Sequence, residues 1–208
     1  MKVLGIDPGQ SDPFALVLVE IKDQKIWILG ARFFQNWNYE DVLPEIRRIV
    51  DTQGVDQCVI ETNAAGKPVT DALRRRFDLS LYTVTTSNNL KSPDAHTMDK
   101  SVMANWMIQQ QQEGVLNWPD QDDDFMKELK RQWRIFGEYK TGKYAAPSGD
   151  HDDLMMALML ACFYSKFQLE SGGNTVMYNA NRRPYHETMN ELNQEHDNGE
   201  TGLSWELK

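Results

Sequence analysis

Lys2-Val3-Leu4-Gly5-Ile6-Asp7 is followed by Phe14-Ala15-Leu16-Val17-Leu18-Val19-Glu20-Ile21 and then by Lys25-Ile26-Trp27-Ile28-Leu29. All three runs are rich in apolar and β-branched residues, and the last two are separated by the turn-like Lys22-Asp23-Gln24. The pattern predicts strands over 2–7, 13–21 and 25–34 with short connections, which is an antiparallel meander.

Beyond the meander the period changes. Asn38 suits a helix cap with Asp41 in the first turn, and Val42, Leu43, Ile46, Ile49 and Val50 recur at helical spacing until Gly54. A short strand follows over 57–61, then a helix with Pro68 in its first turn, then a strand over 79–84. Helices are expected over about 97–112, 121–134 and 150–167, with a hairpin over 136–144 that turns at Lys140-Thr141-Gly142-Lys143. The order β-β-β-α-β-α-β, then helices, implies an α/β fold with a mixed central sheet flanked by helices. It is the order of an RNase H-like fold. Residues 1–168 are read as one domain. Residues 169–208, rich in Gly, Asn and Glu and without periodicity, are read as an acidic disordered tail.

Three acidic stretches sit at the ends of these elements. Asp7 closes the first strand before Pro8-Gly9, and Glu61 closes the strand Val59-Ile60. Asp152 and Asp153 open a helix of Leu154, Met155, Leu158, Met159, Ala161 and Cys162. Each alone reads as a turn, a solvated strand end or a helix start. Together, on elements a sheet-and-helix core would hold still, they suggest a divalent-metal site. Clustered carboxylates repel one another, and a hard cation such as Mg²⁺ or Mn²⁺ relieves that repulsion through oxygen ligands. Two such ions can activate a water and stabilise the leaving oxygen in phosphodiester hydrolysis. The reading is therefore a metal-dependent nuclease with Asp7, Glu61, Asp152 and Asp153 as ligands. Asp12 is either a further ligand or a turn residue. His151 either orients Asp152, binds phosphate or moves a proton, or is an ordinary helix-start residue. Asp150 reads as a cap, and Asp122-Asp123-Asp124 as the acidic first turn of a helix.

Lys100, early in its helix, either faces the metal site and holds the scissile phosphate or is solvated. Arg74, Arg75 and Arg76 either serve the C-terminal dipole of their helix or bind a DNA backbone, and the aromatic-basic segment Trp133–Tyr144, with Lys140 and Lys143, either tracks a duplex or forms an ordinary amphipathic hairpin. Gly137 to Lys143 matches GxxxxGK by spacing, but Tyr144 stands where a phosphate-binding loop needs Ser or Thr, so no ATP site is read there.

With 22 Lys and Arg against 31 Asp and Glu, the net charge of -9 excludes a globally basic DNA coat, though not an acid-rich metal site with local basic patches. No apolar run is long enough to span a membrane, and no signal peptide is read. Cys58 and Cys162 lie in apolar runs and are expected as buried free thiols.

At these residues the chain resembles the C-terminal nuclease domain of the large terminase of tailed bacteriophages, over most of 1–168. The resemblance rests on Gly5-Ile6-Asp7-Pro8-Gly9 with Ser11-Asp12, on Val59 to Gly66, and above all on His151-Asp152-Asp153 opening an apolar helix. It implies an RNase H-like endonuclease that cuts concatemeric double-stranded viral DNA with two Mg²⁺ or Mn²⁺ ions. Asp7, Glu61, Asp152 and Asp153 would be the ligands, with Lys100 near the scissile phosphate and 136–144 as a hairpin beside the DNA. It implies an ATPase motor domain or subunit as partner, with the portal and small terminase as further partners, in the cytoplasm of the infected bacterial host. The motor is absent from this sequence, so the chain is expected to be an excised domain or a separately encoded nuclease. Two alternatives stand beside it: a RuvC-like Holliday junction resolvase, and a non-catalytic RNase H-like scaffold docking a portal or capsid partner.

Overall fold

The computed structural model describes residues 1–9, 13–63, 66–77, 79, 81–87, 97–120, 123–140 and 143–170, with backbone alone at 87, 97–98, 140 and 167–170. Ser11, Asp12, Asp122 and the expected tail beyond 170 lie outside the described residues.

The meander forms as read. β1 (Lys2–Pro8) pairs antiparallel with β2 (Phe14–Lys22), which pairs antiparallel with β3 (Lys25–Phe34). Asp23 and Gln24 both adopt positive φ, the backbone of a tight two-residue hairpin turn. β1 and β2 are buried on both faces, which is why they read as continuous apolar runs, whereas β3 alternates buried Ile26 and Ile28 with exposed Trp27 and Leu29. Leu18 opposes Gly30 and Val19 opposes Ile28, so Leu29 is the extra residue of a bulge.

The chain then crosses through α1 (Tyr39–Gln53) to β4 (Gln57–Glu61), which lies parallel to β1, and through α2 (Gly66–Phe77) to β5 (Leu81–Ser87), parallel to β4. Asn38 caps α1 by accepting from the Asp41 amide, and Gly54 ends it in the left-handed region. β6 (Thr97–Asp99) pairs with β5, and α3 (Lys100–Gln112) leads to β7 (Leu116–Asn117) beside β3. The sheet order is β6-β5-β4-β1-β2-β3-β7. After α4 (Asp124–Ile135) come the separate hairpin β8 (Gly137–Lys140) and β9 (Lys143–Ala145), then α5 (Asp153–Glu170).

Four details differ from the expectation. β6 and β7 are edge strands of three and two residues, too short to leave a period in the sequence. The expected helix at 97 accordingly starts at Lys100, capped by Asp99. β5 runs on through Thr85, Thr86 and Ser87, whose polarity hid it. α5 begins at Asp153 and runs to Glu170, and Asp150 is no cap: its carboxylate is paired with Arg131 at 2.8 Å.

α1 and α2 bury Val42, Leu43, Ile46, Val69 and Leu73 against Leu4, Ile6, Phe14, Leu16 and Ile60 on one face of the sheet. α5 lies on the other face, against β1, β2, β3 and β4, and is itself covered by α3 and α4. That double covering explains a helix apolar all round, with Leu154 to Cys162 buried. Cys58 and Cys162 are buried free thiols, and burial pushes the Cys58 thiol up to about 12. Among the described residues no helix is long and apolar enough to cross a membrane.

Candidate active site

Gly5 and Asp7, two apart on β1, point to the same face of the sheet. On that face α5 comes down onto the backbone: a Cβ on Gly5 would stand 1.9 Å from the carbonyl oxygen of Ala157. From Ala157 back to Asp153 is about 6 Å along a helix, and from Gly5 on to Asp7 about 6.6 Å along a strand. The two steps match, so the glycine contact carries Asp153 to Asp7. Glu61 arrives through the parallel register. Ile6 lies beside Ile60, so the next residues, Asp7 and Glu61, are neighbours and share a hydrogen bond.

The resulting cluster is electrostatically tense. Asp7 is held well above the usual carboxylate range, first by burial, then by the charges of Glu61 and Asp153, by the Glu61 hydrogen bond, and last by Asp152. Glu61 Oε1 accepts from the Asn63 amide at 2.8 Å and from the Thr86 hydroxyl. Asn63 also donates to the Thr86 carbonyl at 2.8 Å, and its own carbonyl accepts from the Gly66 amide at 2.8 Å. Gly66 is packed so tightly that a Cβ there would lie 1.8 Å from the Glu61 carbonyl oxygen.

Lys100 reaches the cluster from α3. Its Nζ donates to Asp152 Oδ2 at 2.6 Å and stands 5.6 Å from the centre of the Phe136 ring. Phe136 stacks on Tyr144, whose hydroxyl donates to Asn105 at 2.6 Å, so the β8–β9 hairpin is rooted beside Lys100. His151 Nδ1 lies 3.5 Å from Asp153 Oδ2, and its ring meets Phe33 edge-on. Gln132 of α4, fully buried, accepts from the amides of Leu154 and Met155 in the first turn of α5.

The structure thus brings together Asp7, Glu61, Asp152, Asp153, His151 and Lys100. It does not bring Arg74 and Arg75 to them. Both lie in the last turn of α2, at least about 12 Å along the helix from Gly66, and Arg75 faces Asp71 at 3.9 Å. Lys143 sits in β9, the Lys140 side chain lies outside the described residues, and so does Asp12. Of the residues read as an acidic first turn, Asp124 lies in the first turn of α4, whereas Asp123 is its cap and pairs with Arg32 at 3.3 Å. Sequence reasoning missed Asn63, Thr86 and Gln132. Asn63, two residues after Glu61, was the one signal available for them.

Among the described residues no three His, Cys, Asp or Glu side chains form a ready-made metal centre. The donors still suit a hard divalent cation. They are all carboxylate oxygens, and their mutual repulsion, read in Asp7, is what such a cation would relieve.

The family model of the terminase RNaseH-like domain matches residues 4–164, and the chain belongs to that family, which supports a nuclease of phage DNA packaging. Solved structures agree in fold. The large terminase nuclease of thermophilic phage G20c is similar at TM-score 0.59 and 17% identity, over 77% of this chain and 80% of that one. With bound magnesium the G20c nuclease matches at TM-score 0.60 and 16% identity, over 77% and 79%. It has also been solved with cobalt and with zinc. The large terminase of a second thermophilic bacteriophage is similar at TM-score 0.58 and 11% identity, over 79% of this chain but 39% of that one. Comparison with curated proteins finds no match.

Proposed function

We propose that this chain is a divalent-metal-dependent endonuclease that cuts double-stranded DNA during phage genome packaging, with two Mg²⁺ or Mn²⁺ ions. The observation that carries the reading is that Glu61, Asp153 and Asp152 come near enough to buried Asp7 to raise its carboxyl, with Lys100 bonded to Asp152. Asp7, Glu61 and Asp153 would hold the ions with Asp152, and Asp12 is a further candidate ligand. The bound ions would supply an activated water and a stabilised leaving oxygen.

The chain's own residues do the positioning. Asn63 and Thr86 fix the Glu61 carboxylate, and Gly66 lets α2 start against it. Lys100, on leaving Asp152, offers its ammonium to the scissile phosphate. His151 orients Asp153 or takes up a proton beside it. The β8–β9 hairpin lines the duplex next to Lys100, with Lys140 and Lys143 on the phosphate backbone, and Arg74 and Arg75 serve a more distant stretch of DNA. The partners of this reading are an ATPase motor domain or subunit, the portal and the small terminase, in the cytoplasm of the infected host. Residues 171–208, after α5, are an acidic extension of the nuclease domain.

The test is cleavage of supercoiled plasmid with Mn²⁺, Mg²⁺ or EDTA, beside Asp7→Ala, Asp153→Ala and a four-way junction substrate. Metal-dependent cutting of plain duplex, lost in both variants while they stay folded, supports the proposal. Selective cutting of the junction would favour a resolvase. Absence of cutting with every metal would favour a non-catalytic scaffold or a nuclease domain that needs its motor.

A further inference from the structure

Asp152 and Asp153 stand at the very start of α5, where a helix end is free to fray unless its amides are satisfied. Gln132 meets that need from another helix. It is fully buried, and its Oε1 accepts from Leu154 N at 3.0 Å and from Met155 N at 3.4 Å. Its Nε2 donates to Glu128 Oε1 at 3.0 Å, so the amide cannot turn over without losing both interactions. Glu128 is held in turn by Arg131 through two contacts of 2.8 Å, and Arg131 extends to Asp150 at 2.8 Å. The chain Asp150–Arg131–Glu128–Gln132 therefore grips the acidic segment on both sides of Asp152 and Asp153. It springs from one turn of α4.

We infer that Gln132 is the positioning residue of the site: by capping α5 from outside, it sets where Asp152 and Asp153 stand relative to Asp7 and Glu61. The inference rests on the nuclease reading above. A buried amide that served packing alone would need no acceptor aimed at the first-turn amides. Leu129, fully buried on the same helix, supplies packing without such a bond.

The test compares Gln132→Met, which keeps length and packing but removes the acceptor, with Leu129→Ala, which loosens the same helix and leaves the acceptor in place. Mn²⁺ binding is read by calorimetry, and exchange of the Leu154 and Met155 amides by NMR in metal-free buffer. Gln132→Met is expected to weaken Mn²⁺ binding about tenfold and to speed exchange of both amides. Leu129→Ala is expected to lower the melting temperature while leaving Mn²⁺ affinity unchanged. Equal effects of the two variants on Mn²⁺ affinity would overturn the inference. If the wild-type chain binds no Mn²⁺, the nuclease reading falls and this inference with it. If it binds and Gln132→Met binds equally well, only this inference falls.

Discussion

Gly5 of β1 and Ala157 of α5 touch backbone to backbone, leaving no room for a β-carbon: one placed on Gly5 would lie 1.9 Å from the Ala157 carbonyl oxygen. This contact is the hinge between fold and site, because the same face of β1 carries Asp7 and the same helix begins with Asp153. Gly5→Ala is expected to push α5 off the sheet. The cost should be on the order of 3 kcal/mol, with a fall in melting temperature of roughly 6–12 °C. Thermal unfolding followed by circular dichroism checks this, and an unchanged melting temperature would refute the contact.

Asp7 gives a pH-dependent prediction. Its folded carboxyl is held above the usual range, by burial first and by Glu61 and Asp153 next. Below the unfolded value of about 3.9 the group is neutral in both states and costs the fold nothing. As pH rises through the window up to the raised folded value, the unfolded chain ionises freely and the fold loses stability. Asp7→Asn removes that loss. In EDTA the variant should melt higher than wild type at pH 8, and the gain should shrink towards pH 4. A gain independent of pH would count against the carboxylate cluster.

Lys100 donates to Asp152 at 2.6 Å, where it would compete with a bound cation. Lys100→Met should leave the four carboxylates less compensated in EDTA and lower the melting temperature. The rise on adding Mn²⁺ should then be larger than in wild type, because bound ligand stabilises the folded state it selects. Plasmid cleavage should fall about 100-fold through loss of the phosphate partner. A smaller Mn²⁺-induced rise than wild type would show that Lys100 does not share the ion's seat.

Asn63 and Thr86 hold one oxygen of Glu61. Asn63→Ala should lower cleavage roughly 10- to 100-fold, as loss of an orienting bond to a metal ligand commonly does. Glu61 itself remains, so raising the Mn²⁺ concentration should restore part of the rate. Failure of Mn²⁺ to restore any rate would indicate a role beyond orienting Glu61.

Deletion of 171–208 removes residues beyond the end of α5, after the last described contact of the domain. The melting temperature is expected to stay at the full-length value. A large fall would show that the segment packs on the core.

What the sequence determined by itself is the meander, the alternation of helix and strand that follows, and the acidic residues at element ends. These are local signals: runs such as Phe14 to Ile21, the cap at Asn38, and the apolar helix after Asp153 each announce themselves within a few residues. The tertiary structure decided what depends on distant residues meeting. Only the register of β1 with β4 sets Asp7 beside Glu61, and only the closeness of Gly5 to Ala157 brings α5 to both. Thr86 became an orienting group because β5 runs on past its apolar part to reach Glu61. Gln132 looks in sequence like any polar helix residue. It meets the Leu154 and Met155 amides only because α4 packs across the start of α5.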